Sequence, residues 1–143
     1  MTFDYSMVGP AIALGAGCIG SSIGCYIAGQ ACHAAMTKTD EGHGKLIGLS
    51  AAPASQSIYG FVLMLLMAQA IRAGTLSPIS GIAIGVFSGL ALVFSSIYQG
   101  KVCATGIQAT LKNPSLYGKC FAAVGIIESF SLFAFVFALL LMK

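Results

Sequence analysis

The sequence predicts an all-α membrane protein, with four transmembrane helices laid out as two duplicated hairpins. Composition is the first ground. Of 143 residues, 57% are hydrophobic and only 8% charged, and the mean hydropathy is +0.92. A soluble domain carries about 25% charged residues, so this chain has too few to cover a water-facing surface. Segment length is the second ground. Apolar runs cover 7–36, 46–71, 78–111 and 116–142. Each exceeds the ~20 residues that one crossing requires, which leaves no room for a soluble domain beside them. The third ground is an internal repeat, in which the second pair of runs restates the first. The expected division is a first hairpin over 1–73 and a second over 74–143.

The first helix, 7–36, follows MTFDYSMVGP, which lacks the basic segment of a signal peptide, so the helix is expected to be retained. It carries small residues at Ala13, Gly17, Ser21, Gly24, Ala28, Ala31 and Ala35. Spacings of three and four place them on one face, and such a face lets helix backbones approach closely in lipid. Within it GAGCIG, residues 15–20, matches G-x-G-x-x-G letter for letter. A dinucleotide-binding turn needs a strand before that motif and a helix opening after it. Here the apolar run continues on both sides, so the match is helix packing. Cys18, Cys25 and Cys32 recur every seventh residue, ~10 Å apart along a helix, too far to bridge one another. His33 adjoins Cys32, but no second pair stands at metal-ligand spacing. These cysteines read as small packing residues.

The polar break TKTDEGHGK leads to the second helix, 46–71, whose centre reads PASQSIY from Pro53 to Tyr59. Ser55, Gln56 and Tyr59 share a face at i, i+3 and i+4 spacing. Pro53 has no N–H, so the carbonyl of Leu49 is expected to be left free. After RAGTLS comes the third helix, 78–111, with Gly81, Gly85, Ser88, Gly89, Ser95, Gly100, Cys103 and Gly106 repeating the narrow face, and with Gln99. KNPSLYGK then leads into the fourth, 116–142.

The hairpins align with Gly29 on Gly100, Cys32 on Cys103, Gln56 opposite Glu128 and Ser57 opposite Ser129. Narrow helices at one position of each repeat suit the inner cylinder of a ring of identical chains. The loops within the hairpins hold Lys38, Lys45, Lys112 and Lys119, against Arg72 and Lys143 on the other side. By the positive-inside rule the hairpin loops are cytoplasmic and the termini outside. The net charge of +3 is thus topology information, not a nucleic-acid footprint.

Glu128 is the only acid inside any apolar run, ~18–21 Å from either end of its helix. A charge at that depth costs at least ~2.5–3.5 kcal/mol and marks an ion or proton pathway by default. Gln56, Gln99 and Glu128 lie at comparable depths, ~14–20 Å from the basic ends of their helices. One carboxylate, two amides, a hydroxyl and a phenol are hard oxygen donors, suited to an alkali cation more than to a transition metal. Glu128 alone suffices for a proton, and the other groups can instead hold a protonated Glu128 by hydrogen bonds. The surplus of oxygens favours Na+ over H+.

At PASQSIYGF, YQGKVCATGIQ and IIES the chain resembles the membrane-rotor proteolipid, often called K or c, of V-type and bacterial or archaeal A-type ATPases. The resemblance implies a homo-oligomeric rotor ring in the lipid of, most simply, a prokaryotic plasma membrane. It implies a stator subunit (a or I) with an essential arginine, and central-stalk subunits at the cytoplasmic loops. The chain would be non-catalytic itself, without a cofactor, moving Na+ or H+ as ATP is hydrolysed or made. In the sodium-transporting branch the resemblance gives the ion ligands as Glu128, Ser55, Gln56, Gln99 and the carbonyl of Ala52, with Tyr59 closing the site. Ala52 stands where a larger residue is common, and Ser55 where threonine is usual. The alternative is a small four-helix proton-coupled multidrug exporter, which normally has its glutamate in the first helix among aromatic residues.

Overall fold

A computed structural model describes residues 4–142. The helices are α1 (Val8–Met36), α2 (His43–Ala51), α3 (Ser55–Arg72), α4 (Pro78–Lys112) and α5 (Tyr117–Leu141). A 3-10 turn, Ala52–Ala54, joins α2 to α3, and a second one, Pro114–Leu116, leads into α5. They make four apolar spans, Val8–Met36, His43–Arg72, Pro78–Lys112 and Pro114–Leu141, of 29, 30, 35 and 28 residues. At 1.5 Å per residue these reach ~42–52 Å, more than the ~30 Å hydrocarbon core. The chain is an integral multi-pass membrane protein. Lys143, used above for orientation, lies outside the described residues.

Local chemistry explains the breaks. Gly42 and Gly74 have φ of +76°, a backbone conformation that glycine adopts without penalty, and they stand just before α2 and just after α3. The second span starts at His43, ahead of its apolar run, because the turn at Gly42 sets the boundary. Ser77 Oγ caps α4 by accepting from the Ser80 N–H at 3.1 Å, with Pro78 in the first turn. Asn113 stops α4, and its Oδ1 accepts the Ser115 N–H at 3.1 Å beside Pro114.

The two narrow helices form the centre. α1 and α4 run side by side in the same direction, with Gly9 against Gly81 and Gly85, Gly20 against Val93, and Gly24 against Ser96 and Gly100. A Cβ at Gly85 or Gly100 would overlap the backbone of Gly9 or Gly24, so only glycine permits this approach. Of the GAGCIG glycines, Gly17 meets the Gln56 carbonyl and Gly60, Gly20 meets α4, and Gly15 meets nothing. All three lie within α1, and the five cysteines are free.

α3 flanks α1, and α5 flanks α4 as the least covered helix, burying only Val124, Ser131 and Ala138. One apolar cluster gathers Cys32, Leu46, Leu49 and Ile107, and another Leu63, Met67, Leu76 and Ile84. Gln56, Ser96, Gln99 and Ser131 are buried polar residues outside both clusters. Large apolar side chains such as Ile19, Phe87, Phe130 and Phe137 face outward, as a surface exposed to lipid or to neighbouring copies requires.

One basic residue departs from the loop pattern. Lys101 lies in α4, ~16 Å before Lys112, on an exposed face with Nζ 5.4 Å from the centre of the Tyr98 ring.

Candidate functional site

The polar layer is built where the second span is interrupted. Pro53 cannot donate a hydrogen bond, and the chain answers with the 3-10 turn Ala52–Ala54. The expectation of a free Leu49 carbonyl is corrected here, because it accepts the N–H of Ala52. The tightened turn shifts that donor by one position. The Ala52 carbonyl in turn accepts the Ser55 N–H and lies 3.2 Å from Ser55 Oγ. Neighbouring helices support the interruption. Ser96 Oγ of α4 donates to the Pro53 carbonyl at 2.9 Å, and Ser21 Oγ of α1 accepts the Ser57 N–H at 2.9 Å.

The interruption delivers Gln56 to a fully buried position facing Gln99, also fully buried. Gln56 Nε2 donates to Gln99 Oε1 at 2.9 Å and to Ser131 Oγ at 3.3 Å. Its own Oε1 lies on the other side, 3.3 Å from Ser55 Oγ. Gln99 Nε2 is turned toward Glu128 Oε2 and the Val124 carbonyl, both at 3.5 Å. Tyr59 donates its hydroxyl to Glu128 Oε1 at 2.6 Å, a short hydrogen bond. Glu128 is half-buried on α5, so its carboxyl is gathered in but not sealed.

All six residues anticipated from sequence, Ala52, Ser55, Gln56, Tyr59, Gln99 and Glu128, therefore meet in one connected hydrogen-bond system. Sequence reasoning missed Ser131, although it stands three residues beyond Glu128 on the same helix face. It also missed Ser96, and it read Ser21 and Ser95 only as small. Ser95 Oγ donates to the Ile127 carbonyl at 3.1 Å, so consecutive serines of α4 bind the backbones of both outer spans. Among the described residues no group of three His, Cys, Asp or Glu could hold a metal ion. The donors here are oxygens, and their chemistry is that of a hard cation or a proton.

The family of the ATP synthase C subunit matches the chain twice, over residues 8–67 and 82–141. The chain belongs to that family. The paired match also accounts for the duplicated hairpins. Among curated relatives, the V-type sodium ATPase subunit K of Enterococcus hirae is 34% identical over 130 residues, covering 86% of this chain and 80% of that protein. The A-type ATP synthase subunit K of Methanocaldococcus jannaschii is 30% identical over 135 residues, covering 94% of this chain and 60% of the relative. This is a V/A-type proteolipid, the ring-forming rotor subunit of an ion-translocating complex that also has a stator. The exporter alternative gives way to this membership.

Proposed function

We propose that each chain carries one Na+ across the membrane on Glu128, as a non-catalytic part of a V/A-type ATPase or ATP synthase. The observation that carries the reading is the oxygen set around a single intramembrane carboxylate. Ser55 Oγ lies 3.2 Å from the Ala52 carbonyl and 3.3 Å from Gln56 Oε1. Oxygens that share one cation at ~2.3–2.6 Å, as around calcium, stand about that far apart, and sodium is of similar size. Gln99 Oε1, through the lone pair that Gln56 Nε2 does not occupy, and the two oxygens of Glu128 complete the set, while Gln99 Nε2 and Tyr59 orient the carboxylate by donating to it. The relative from Enterococcus hirae, named a sodium ATPase subunit, supports the same ion.

Gln56 cannot titrate, so one ion rides per four-helix chain instead of one per hairpin. An ion crossing 100 mV is worth ~2.3 kcal/mol, and few ions per turn favour ATP-driven pumping against a steep gradient. Synthesis requires a larger ion-motive force. The ion is released where a stator arginine meets Glu128 and is reloaded from the opposite half-channel. The hairpin loops face the cytoplasm and the central stalk, with the termini outside a prokaryotic plasma membrane.

The test uses the purified complex and a fluorescent carbodiimide, which attacks only a protonated carboxyl. Slower labelling of Glu128 in millimolar Na+, but not K+, at fixed pH is the expected result. Labelling that follows pH alone makes the oxygens scaffolding for a proton and overturns the sodium reading.

A further inference from the structure

We propose that Ser131 is a positioning residue for ion binding, because its hydroxyl decides which way the Gln56 amide points. The inference rests on the sodium reading above. Ser131 is fully buried, and its Oγ donates to the carbonyl of Glu128 at 2.7 Å. A hydroxyl has one proton. With that proton committed to a carbonyl, the oxygen offers Gln56 only lone pairs. It accepts the Gln56 Nε2–H at 3.3 Å, while the second proton of the same nitrogen goes to Gln99 Oε1 at 2.9 Å. Both amide protons are spoken for on one side.

The Gln56 oxygen is thereby confined to the other side, toward Ser55 Oγ. A reversed amide would set its oxygen against the lone pairs of Ser131 and of Gln99 together, in a buried site where unmet polar groups are costly. The orientation propagates. Gln99 accepts through Oε1, so its Nε2 must face the carboxylate of Glu128. The hydrogen bonds thus run from the Glu128 carbonyl through Ser131, Gln56 and Gln99 back to the Glu128 side chain. Removing the Ser131 hydroxyl frees the Gln56 amide to rotate, so its oxygen meets the ion only part of the time. Ser131 touches no ion and acts through Gln56.

The experiment measures, on the purified complex at fixed pH, the Na+ concentration that half-protects Glu128 from carbodiimide. Ser131→Ala is expected to need about fivefold more Na+ or higher, with the ring assembled as in the wild type, and Ser131→Thr to return toward wild type. Damaged packing would disturb ring assembly as well. Where Ser131→Ala does not assemble a ring, Ser131→Cys is read instead. It keeps the side-chain shape with a much poorer acceptor, and a raised Na+ requirement is again expected. An unchanged Na+ requirement in the variant that assembles overturns the inference and leaves the sodium reading standing, as does a Ser131→Thr no better than Ser131→Ala. Absence of Na+ protection in the wild type overturns both.

Discussion

The outer spans of the two hairpins carry Gln56 and Glu128, which pair in the internal alignment, and the structure treats them differently. The span with Gln56 is interrupted by a 3-10 turn just before the polar residue, which is fully buried with both amide protons engaged. The span with Glu128 runs unbroken from Tyr117, and its carboxyl is half-buried. An amide that neither gains nor loses charge can be enclosed for good once its hydrogen bonds are met. A carboxylate that must take up and release a cation needs a route out, since binding has to be weak enough to leave. On the proposed ion-carrying reading, the duplicated halves have diverged into a fixed part and a working part of one site.

The largest effect tests the working part. Glu128→Gln is expected to abolish ATP-driven Na+ uptake by the complex in proteoliposomes and the Na+-sensitive carbodiimide labelling of the ring. The chain itself still folds, because the glycine contacts between α1 and α4 are untouched. Residual coupled uptake would mean that a second group carries ions.

Next, Gln56→Glu gives both halves a carboxyl. The new group stands where a donor to Gln99 and Ser131 is needed and close to an existing carboxylate, so the pair cannot readily ionise together. Expected outcomes are a Na+ affinity lowered by more than about tenfold and a Na+/ATP ratio that does not rise. A doubled ratio would show that position in the fold is irrelevant and only charge was lost from the first hairpin.

Tyr59 connects the halves, with its hydroxyl 2.6 Å from Glu128 and its ring 6.0 Å from that of Phe135. Tyr59→Phe keeps the ring contact and removes a hydrogen bond to a charged group, ~1.5–3 kcal/mol. Half-protection by Na+ should then need at least about tenfold more ion. The smallest effects separate packing from chemistry. Gly100→Ala places a Cβ against the Gly24 backbone and should destabilise the ring in thermal melts by ~1–3 kcal/mol. Gly15→Ala, in open space, should leave both melting and Na+ binding unchanged.

The reach of sequence differs from residue to residue. Glu128 stood out because a lone acid in an apolar run is conspicuous without any structure, and Gln56 and Gln99 followed from their depth. Ser131 did not, because serines are common on these helices and nothing in the chain says which of them faces an amide. Pro53 shows that a helical donor is lost, but not that the Leu49 carbonyl finds another. The missing N–H is written in the sequence, whereas the replacement donor, Ala52, depends on how tightly the next turn winds. Lys101 was passed over for a similar reason, since only the fold shows it on an exposed face of α4 beside Tyr98.

Hydropathy, small-residue spacing and the repeat are properties of the chain read along its length, and they alone determined the four spans, the two hairpins and the single membrane carboxylate. The parallel contact of α1 with α4, the direction of every amide in the polar layer and the capture of each loose backbone group were decided only by tertiary structure. Hydrogen bonds and close backbone contacts depend on the group across the interface, and for Gln56, Gln99, Ser131 and Glu128 that group lies on another helix.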